Sequence, residues 1–244
     1  MEKVKKMESL STGIEGLDIL IDGGYPKGKS ILLTGPPGSG KTILGLHFLH
    51  KSCESGKKCI LILTRELTED VLLQSKTLGM DLEPFKASGQ LQIKNIFEDR
   101  INKLKSVSRF GKGLCAVDTD IIEYLSSAAE GADVVVIDNI GMMVIAHEAR
   151  EFADKFSSIS IILLKRGCTS LFIMDDDSYA LTYGLPASMV FGNMKFIVKE
   201  NLNVGRTKQY IYIQKMRNKP VPIKYSLYTL TQEGIKIISS LRGR

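Results

Sequence analysis

The sequence predicts an α/β fold in which a mainly parallel central sheet is flanked by helices and continued by an antiparallel C-terminal extension. Three observations carry that expectation. Short β-branched runs alternate with longer helical patterns, the order in which a parallel sheet with covering helices is written along a chain. The run Val134-Val135-Val136-Ile137 is apolar at every residue, as burial on both faces of a sheet requires. After Met174 the helical patterns give way to strand-like segments with turn residues between them.

In chain order, the parallel strands are expected at 30–34, 58–64, 91–95, 134–138 and 170–174. Helical periodicity fills the intervals at 42–54, 68–78, 119–129 and 148–166. The extension is expected at 195–199, 208–214, 224–229 and 235–238. The segment 98–113 is rich in Lys and Arg and reads as a solvated loop. At ~150 residues per domain, 244 residues make one large domain or two small ones. No Pro/Ser-rich linker and no internal repeat divides the chain, so one domain over residues 1–244 is the economical reading.

Composition excludes several classes. The chain is 43% hydrophobic and 25% charged, within the range of globular proteins. The charge-free stretch 178–194 carries Gly184, Pro186, Gly192 and Asn193, short of the ~20 apolar residues of a membrane span. The first residues hold Lys3, Lys5 and Lys6 but no apolar core follows, which argues against a signal peptide. Cys53, Cys59, Cys115 and Cys168 form no CxxC pair, so neither a disulfide framework nor a zinc knuckle is expected, and a reducing cytoplasm is. A net charge of +6 permits an anionic partner without choosing one.

Directly after the expected strand 30–34 stands Gly35-Pro36-Pro37-Gly38-Ser39-Gly40-Lys41-Thr42, the pattern G-x-x-x-x-G-K-[ST] with a strand before it and a helix after it. Glycines let successive backbone N–H groups converge on phosphate oxygens, and the helix N-terminus adds unpaired N–H groups and partial positive charge. Lys41 would reach the β- and γ-phosphates and the Thr42 hydroxyl would ligate Mg²⁺. Such a loop calls for a second strand ending in an acid, and Asp138 after 134–137 supplies it as the further metal ligand.

The run Leu10-Ser11-Thr12-Gly13-Ile14-Glu15-Gly16-Leu17-Asp18, then Gly23-Gly24-Tyr25-Pro26-Lys27-Gly28 and the phosphate loop, resembles the opening of KaiC-like and RadA-like ATPases of the RecA superfamily. The likeness continues at Asp138-Asn139, where that family usually has Asp-Ser, at Gly167-Cys168-Thr169-Ser170, and at Lys215-Met216-Arg217. It implies a RecA-like fold, ATP as the nucleotide and assembly into a ring, often a hexamer, with ATP at subunit boundaries. It also implies that Lys215 and Arg217 reach a neighbour's phosphates; read without the resemblance, they end a solvated basic strand.

One departure matters. After its second strand the family usually carries adjacent glutamates, the first of which orients and deprotonates the attacking water. Here the chain reads Leu63-Thr64-Arg65-Glu66, so Arg65 takes the first glutamate's place and Glu66 is the remaining catalytic carboxylate beside Lys41. A guanidinium accepts no proton at neutral pH, so binding should survive while hydrolysis slows. If the strand runs on, Arg65 and Glu66 point to opposite faces, and Glu66 does not simply replace its neighbour.

Asp175-Asp176-Asp177 ends the strand 170–174 on the side where ligands bind, and reads either as a nucleotide contact or as a solvated turn. His47 and His50 lie three apart on a helix without a third ligand and read as packing residues, while His147 stands alone. The functional expectation is a regulatory ATPase or nucleotide-dependent switch acting on a signalling protein or nucleic acid, with no membrane partner. Two readings compete with it: a DNA-binding recombinase paralogue, on the strength of Lys208, Lys215, Lys219, Lys224, Arg242 and Arg244, and a non-hydrolysing ATP-dependent scaffold.

Overall fold

A computed structural model of the chain describes residues 7–106, 117–145, 148–182, 184–201, 206–219, 221 and 224–238. Arg109 and Lys112 of the basic segment, Cys115, His147, Arg242 and Arg244 lie outside the described residues. The chain opens with β1 (Ser9–Leu10), α1 (Glu15–Leu20), β2 (Tyr25–Pro26), β3 (Ser30–Gly35), α2 (Lys41–Glu54) and β4 (Cys59–Leu63). Next come α3 (Thr68–Thr77), α4 (Glu83–Ala87), β5 (Leu91–Asn95), α5 (Ile96–Ser106), α6 (Val117–Ala128) and β6 (Val134–Asp138). After α7 (Met142–Ile145), α8 (Ala149–Lys165) and β7 (Thr169–Asp175) follow the short helices α9 (Asp176–Leu181) and α10 (Leu185–Met189). The chain then forms β8 (Gly192–Asn201), β9 (Arg206–Met216), β10 (Tyr225–Thr231) and β11 (Gly234–Ile238).

Nine strands make one sheet in the order β11-β10-β9-β8-β3-β7-β6-β4-β5, and β1 and β2 form a separate ribbon. From β5 to β8 all neighbours are parallel, whereas β8 through β11 pair antiparallel. The expected α/β architecture is therefore present, with each expected strand in place to within a few residues. Parallel register brings the carboxyl ends of the central strands to one edge: Gly35 stands opposite Asp175, and Leu63 opposite Asp138. That edge is where an open α/β sheet presents its ligand site.

The solvated loop expected at 98–113 is corrected over its first part, where α5 is helical to Ser106. Ile96 is fully buried and Phe97 and Ile101 are half-buried, so a few apolar residues dock the helix despite its basic composition. Packing against the sheet overrides a weak local pattern.

The two faces of the sheet are covered unequally. One core joins α1, α2 and α3 to strands all along the sheet, from Leu61 and Val136 through Met194 and Phe196 to Ile211, Ile213, Tyr228 and Ile235. The opposite core packs α6 and α8 on Ile60, Ile62, Val135, Ile137 and Phe172 and reaches no farther than Leu32 of β3. Strands β8–β11 thus contribute to one core alone among the described residues.

Candidate functional site

The loop between β3 and α2 wraps the edge where β3, β4, β6 and β7 end. Gly38 and Gly40 have φ of 72° and 90°, a left-handed conformation that favours glycine. At Gly40 a Cβ would also meet Leu230 Cδ2 at 2.9 Å, so the extension packs directly on the loop. Inside it, the Ser39 hydroxyl donates to Pro36 O at 2.7 Å, and Tyr228 of β10 donates its hydroxyl to Ser39 O at 2.5 Å.

Lys41, 6% exposed, donates through Nζ to Gly35 O at 2.9 Å and Pro36 O at 2.7 Å and pairs with Asp175 Oδ1 at 2.9 Å. The second oxygen of Asp175 holds the Arg65 guanidinium. One carboxylate therefore bridges the loop lysine and the arginine that stands where the resemblance puts a glutamate. Asp176 instead pairs with Lys195 at 3.1 Å and Asp177 is exposed, so of the three aspartates Asp175 is the one in the site.

Thr42 donates its hydroxyl to Asp138 Oδ2 at 2.7 Å. Burial pushes the Asp138 carboxyl up to about 6; the Thr42 hydrogen bond and Lys41 pull it down, and Glu66 and Asp175 raise it further. A hydroxyl and a carboxylate are the hard oxygen donors that suit a small divalent cation, and this buried carboxyl is short of the positive charge such an ion supplies. Burial, with Asp70, also raises the Glu66 carboxyl above its usual range.

Strand alternation does not separate Arg65 from Glu66, because β4 ends at Leu63. Thr64 then ties the two strand ends together: its hydroxyl donates to Asn139 O at 2.8 Å and accepts the Asn139 N–H at 2.9 Å, while its own N–H reaches Asp138 O at 2.9 Å. The chain bends there, and both Arg65 and Glu66 line the same cleft of about 320 Å³ with Pro37, Gly38, Lys41, Thr42, Asp138 and Asp175. The expectation that the two side chains diverge is corrected on that ground.

Lys215 and Arg217 stand apart from the lining of this cleft. Lys215 donates to Ala187 O and Arg217 to Ser188 O at 3.1 Å, which ties the end of β9 to α10. His47, as expected, packs: its Nε2 accepts the Ile235 N–H at 3.0 Å. A larger depression of about 600 Å³ between α1 and α2 includes Asp18, whose carboxylate already accepts from the Ser11 hydroxyl and from the Thr12 hydroxyl and N–H. The residues of the glycine-rich loop line the smaller cleft.

Chemically, that cleft offers a glycine-rich loop at a helix N-terminus, two fixed cations, a hydroxyl–carboxylate pair and two further carboxylates, Asp175 and Glu66. The bridging role of Asp175 and the support from Tyr228 escaped sequence reading, because the register that sets Asp175 beside Gly35 joins strands far apart in the chain.

Comparisons with known proteins bear on the family and the fold. A family model described as "ATPase: KaiC" matches residues 10–242. A UPF0273 protein of Thermotoga maritima is 26% identical over 241 residues, covering 97% of this chain and 98% of that protein. Protein RecA of Helicobacter pylori is 30% identical over 209 residues, 84% of this chain and 57% of RecA. The crystal structure of a KaiC-like protein from Pyrococcus horikoshii has the same fold, with a TM-score of 0.74 at 24% identity over 95% of this chain and 99% of that one.

Proposed function

The chain belongs to the KaiC family of ATPases, and on that premise we propose that it is a nucleotide-dependent switch: a one-domain, cytoplasmic ATPase that binds Mg²⁺–ATP tightly and hydrolyses it slowly. The observation that carries this reading is the Asp175 carboxylate shared by Lys41 and Arg65. Residues 35–42 would cradle the phosphates, with Lys41 at the β- and γ-phosphates. Thr42 and Asp138 would hold Mg²⁺, which supplies positive charge at those phosphates when bound.

Arg65 is a cation at the place of a base. It favours the charged ground state of the triphosphate and cannot take a proton from water. Glu66 is the cleft carboxylate left for that task, and burial raises its pKa, which strengthens it as a base without giving it the missing glutamate's position. In a ring of identical subunits, Lys215 and Arg217 would read the neighbour's phosphates and couple nucleotide state to assembly or partner affinity.

Calorimetry and single-turnover phosphate release test this together. Lys41→Ala should weaken Mg²⁺–ATP binding at least tenfold, about 1.4 kcal/mol or more. Arg65→Glu should raise hydrolysis at least tenfold, because a lost general base typically costs about 10²- to 10⁴-fold. Brisk hydrolysis by the natural protein, lost in Glu66→Gln and unimproved by Arg65→Glu, would overturn the reading. Undetectable turnover in every variant, with nucleotide-linked assembly intact, would make the protein a scaffold.

A further inference from the structure

On the side of the sheet away from α1 and α2, strands β8–β11 join no hydrophobic core among the described residues, and α9 and α10 meet only polar side chains there, Lys195, Lys215 and Arg217. Register fixes which side chains share this face. Lys195, Ile197 and Lys199 of β8 stand opposite Tyr212, Tyr210 and Lys208 of β9. Tyr212 and Tyr210 stand opposite Tyr225 and Leu227 of β10, and Ile238 and Lys236 follow on β11. An antiparallel sheet face open to water ordinarily carries polar residues. This one carries three tyrosines, three aliphatic residues and four lysines.

The tyrosines are contiguous: the ring of Tyr225 lies 5.0 Å from that of Tyr212 and 6.1 Å from that of Tyr210. Lys199 Nζ sits 5.8 Å over Tyr210 and 5.1 Å over Tyr225. Tyr225 is 50% exposed and Ile238 43%. Lys199 and Lys208 are directly opposite across two strands, and both are exposed. Like charges in that position destabilise a sheet, so folding does not account for them. Lys195 is neutralised by Asp176, and no carboxylate is among the described residues of this face on β8–β11.

We propose that the outer face of β8–β11 binds an unpaired nucleic-acid strand, with bases stacked on Tyr210, Tyr212 and Tyr225 and phosphates on Lys199, Lys208 and Lys236. Every base has a π-face that a tyrosine can stack on, which gives affinity without sequence preference, and lysines interleaved with the rings meet the backbone charge. Charge selects this partner over a two-fold pairing of the face with itself, which would set lysine against lysine. The other basic residues of the last third divide by structure. Lys219 holds Ser9 Oγ and the carbonyls of Ile21, Asp22 and Gly24, and Lys215 reaches Ala187 O of α10, so neither is counted on this face.

The test is fluorescence anisotropy of a labelled dT20 oligonucleotide with the full chain over a range of KCl, with a duplex of equal length as competitor. The expected result is binding to dT20 at least tenfold tighter than to duplex. Tyr225→Ser should weaken it about tenfold. Lys208→Glu is the sharper variant: it creates an opposite-charge pair with Lys199, so thermal melting should stay level or rise while dT20 affinity falls at least tenfold. Lys208→Gln should lower the salt slope by about 0.7, the value for one phosphate contact on a single strand. Absence of dT20 binding, or equal affinity for duplex, overturns the proposal. So does Tyr225→Ser altering sedimentation mass while leaving dT20 affinity unchanged, which would mark a contact between copies. Binding to phosphatidylserine vesicles in place of dT20 overturns it as well. Lys41→Ala should leave dT20 binding intact, so this proposal and the nucleotide reading fail separately.

Discussion

Tyr228 and Tyr225 share strand β10 and face opposite sides of the sheet. Tyr228 is 2% exposed, stacks 4.7 Å from Phe196 and donates to the Ser39 carbonyl of the phosphate loop. Tyr225 is half exposed, and its ring neighbours are Tyr210, Tyr212 and Lys199. The difference teaches that the inner face of the extension is a structural part of the phosphate loop, while its outer face contributes little to the fold. Two inner contacts beyond Tyr228 complete the link: Leu230 packs on Gly40, and His47 of α2 caps the β10–β11 turn at Ile235. Changes on the inner face should therefore move stability and nucleotide affinity together, and changes on the outer face should move neither.

The largest expected effect is at the turn. Gly234 has φ of 91°, and a Cβ there would come within 2.1 Å of His47 Nε2. Gly234→Ala adds left-handed strain of about 1 kcal/mol and displaces the imidazole from the Ile235 N–H, about 1 kcal/mol more. A total of about 2 kcal/mol should lower Tm by ~4–8 °C in a chain of this size. Calorimetry of Mg²⁺–ATP binding should report a loss as well; unchanged affinity would separate the hairpin from the loop.

A slightly smaller effect follows from pH. Burial, then His50, lowers the His47 pKa to about 4, so the ring is neutral at pH 7 and its Nε2 accepts. Between about 6.5 and 4 the unfolded chain takes up a proton that the folded chain refuses, so stability falls as pH drops through that window and levels off below it. From pH 7.5 to pH 5 the loss from this group is about 1–2 kcal/mol, allowing for screening of a half-buried ring. His47→Gln keeps an acceptor and removes the titration. Its Tm should lose less than the natural protein's between those pH values; parallel curves would show that His47 is not the titrating cap.

How much of this was legible in the sequence follows from the range of each interaction. Strands such as Val134–Asp138 were legible because burial on both faces leaves an unbroken apolar run, and the phosphate loop because its chemistry constrains eight consecutive residues. Asp138 followed from the same logic. Helix α5 was hidden by its lysines and arginines, since the apolar residue that anchors it in the core, Ile96, is a single position at its start. The Asp175 bridge depends on parallel register and on the bend after Leu63, neither of which has a local signature. Tyr228 meets Ser39 across 189 residues, and nothing around either residue announces the other.

The last and smallest pair of effects isolates the two faces with matched chemistry. Tyr228→Phe removes a single buried hydroxyl and leaves the Ser39 carbonyl without that donor, a cost of about 1 kcal/mol and a fall in Tm of ~2–4 °C. Because that carbonyl belongs to the phosphate loop, Mg²⁺–ATP affinity should fall severalfold with it. Tyr225→Ser removes far more of its side chain, yet the ring is half in water and its contacts lie on a face without a packed core behind it. Surface changes of that kind usually stay within about 0.5 kcal/mol, so Tm should move by no more than ~1–2 °C and nucleotide affinity should not change. The contrast inverts what residue size alone would give: one oxygen atom on the inner face outweighs a whole aromatic ring on the outer one. Differential scanning calorimetry of the two variants decides it. A larger destabilisation from Tyr225→Ser than from Tyr228→Phe would mean that the outer tyrosines hold the extension together, and their exposure would then need no partner to explain it.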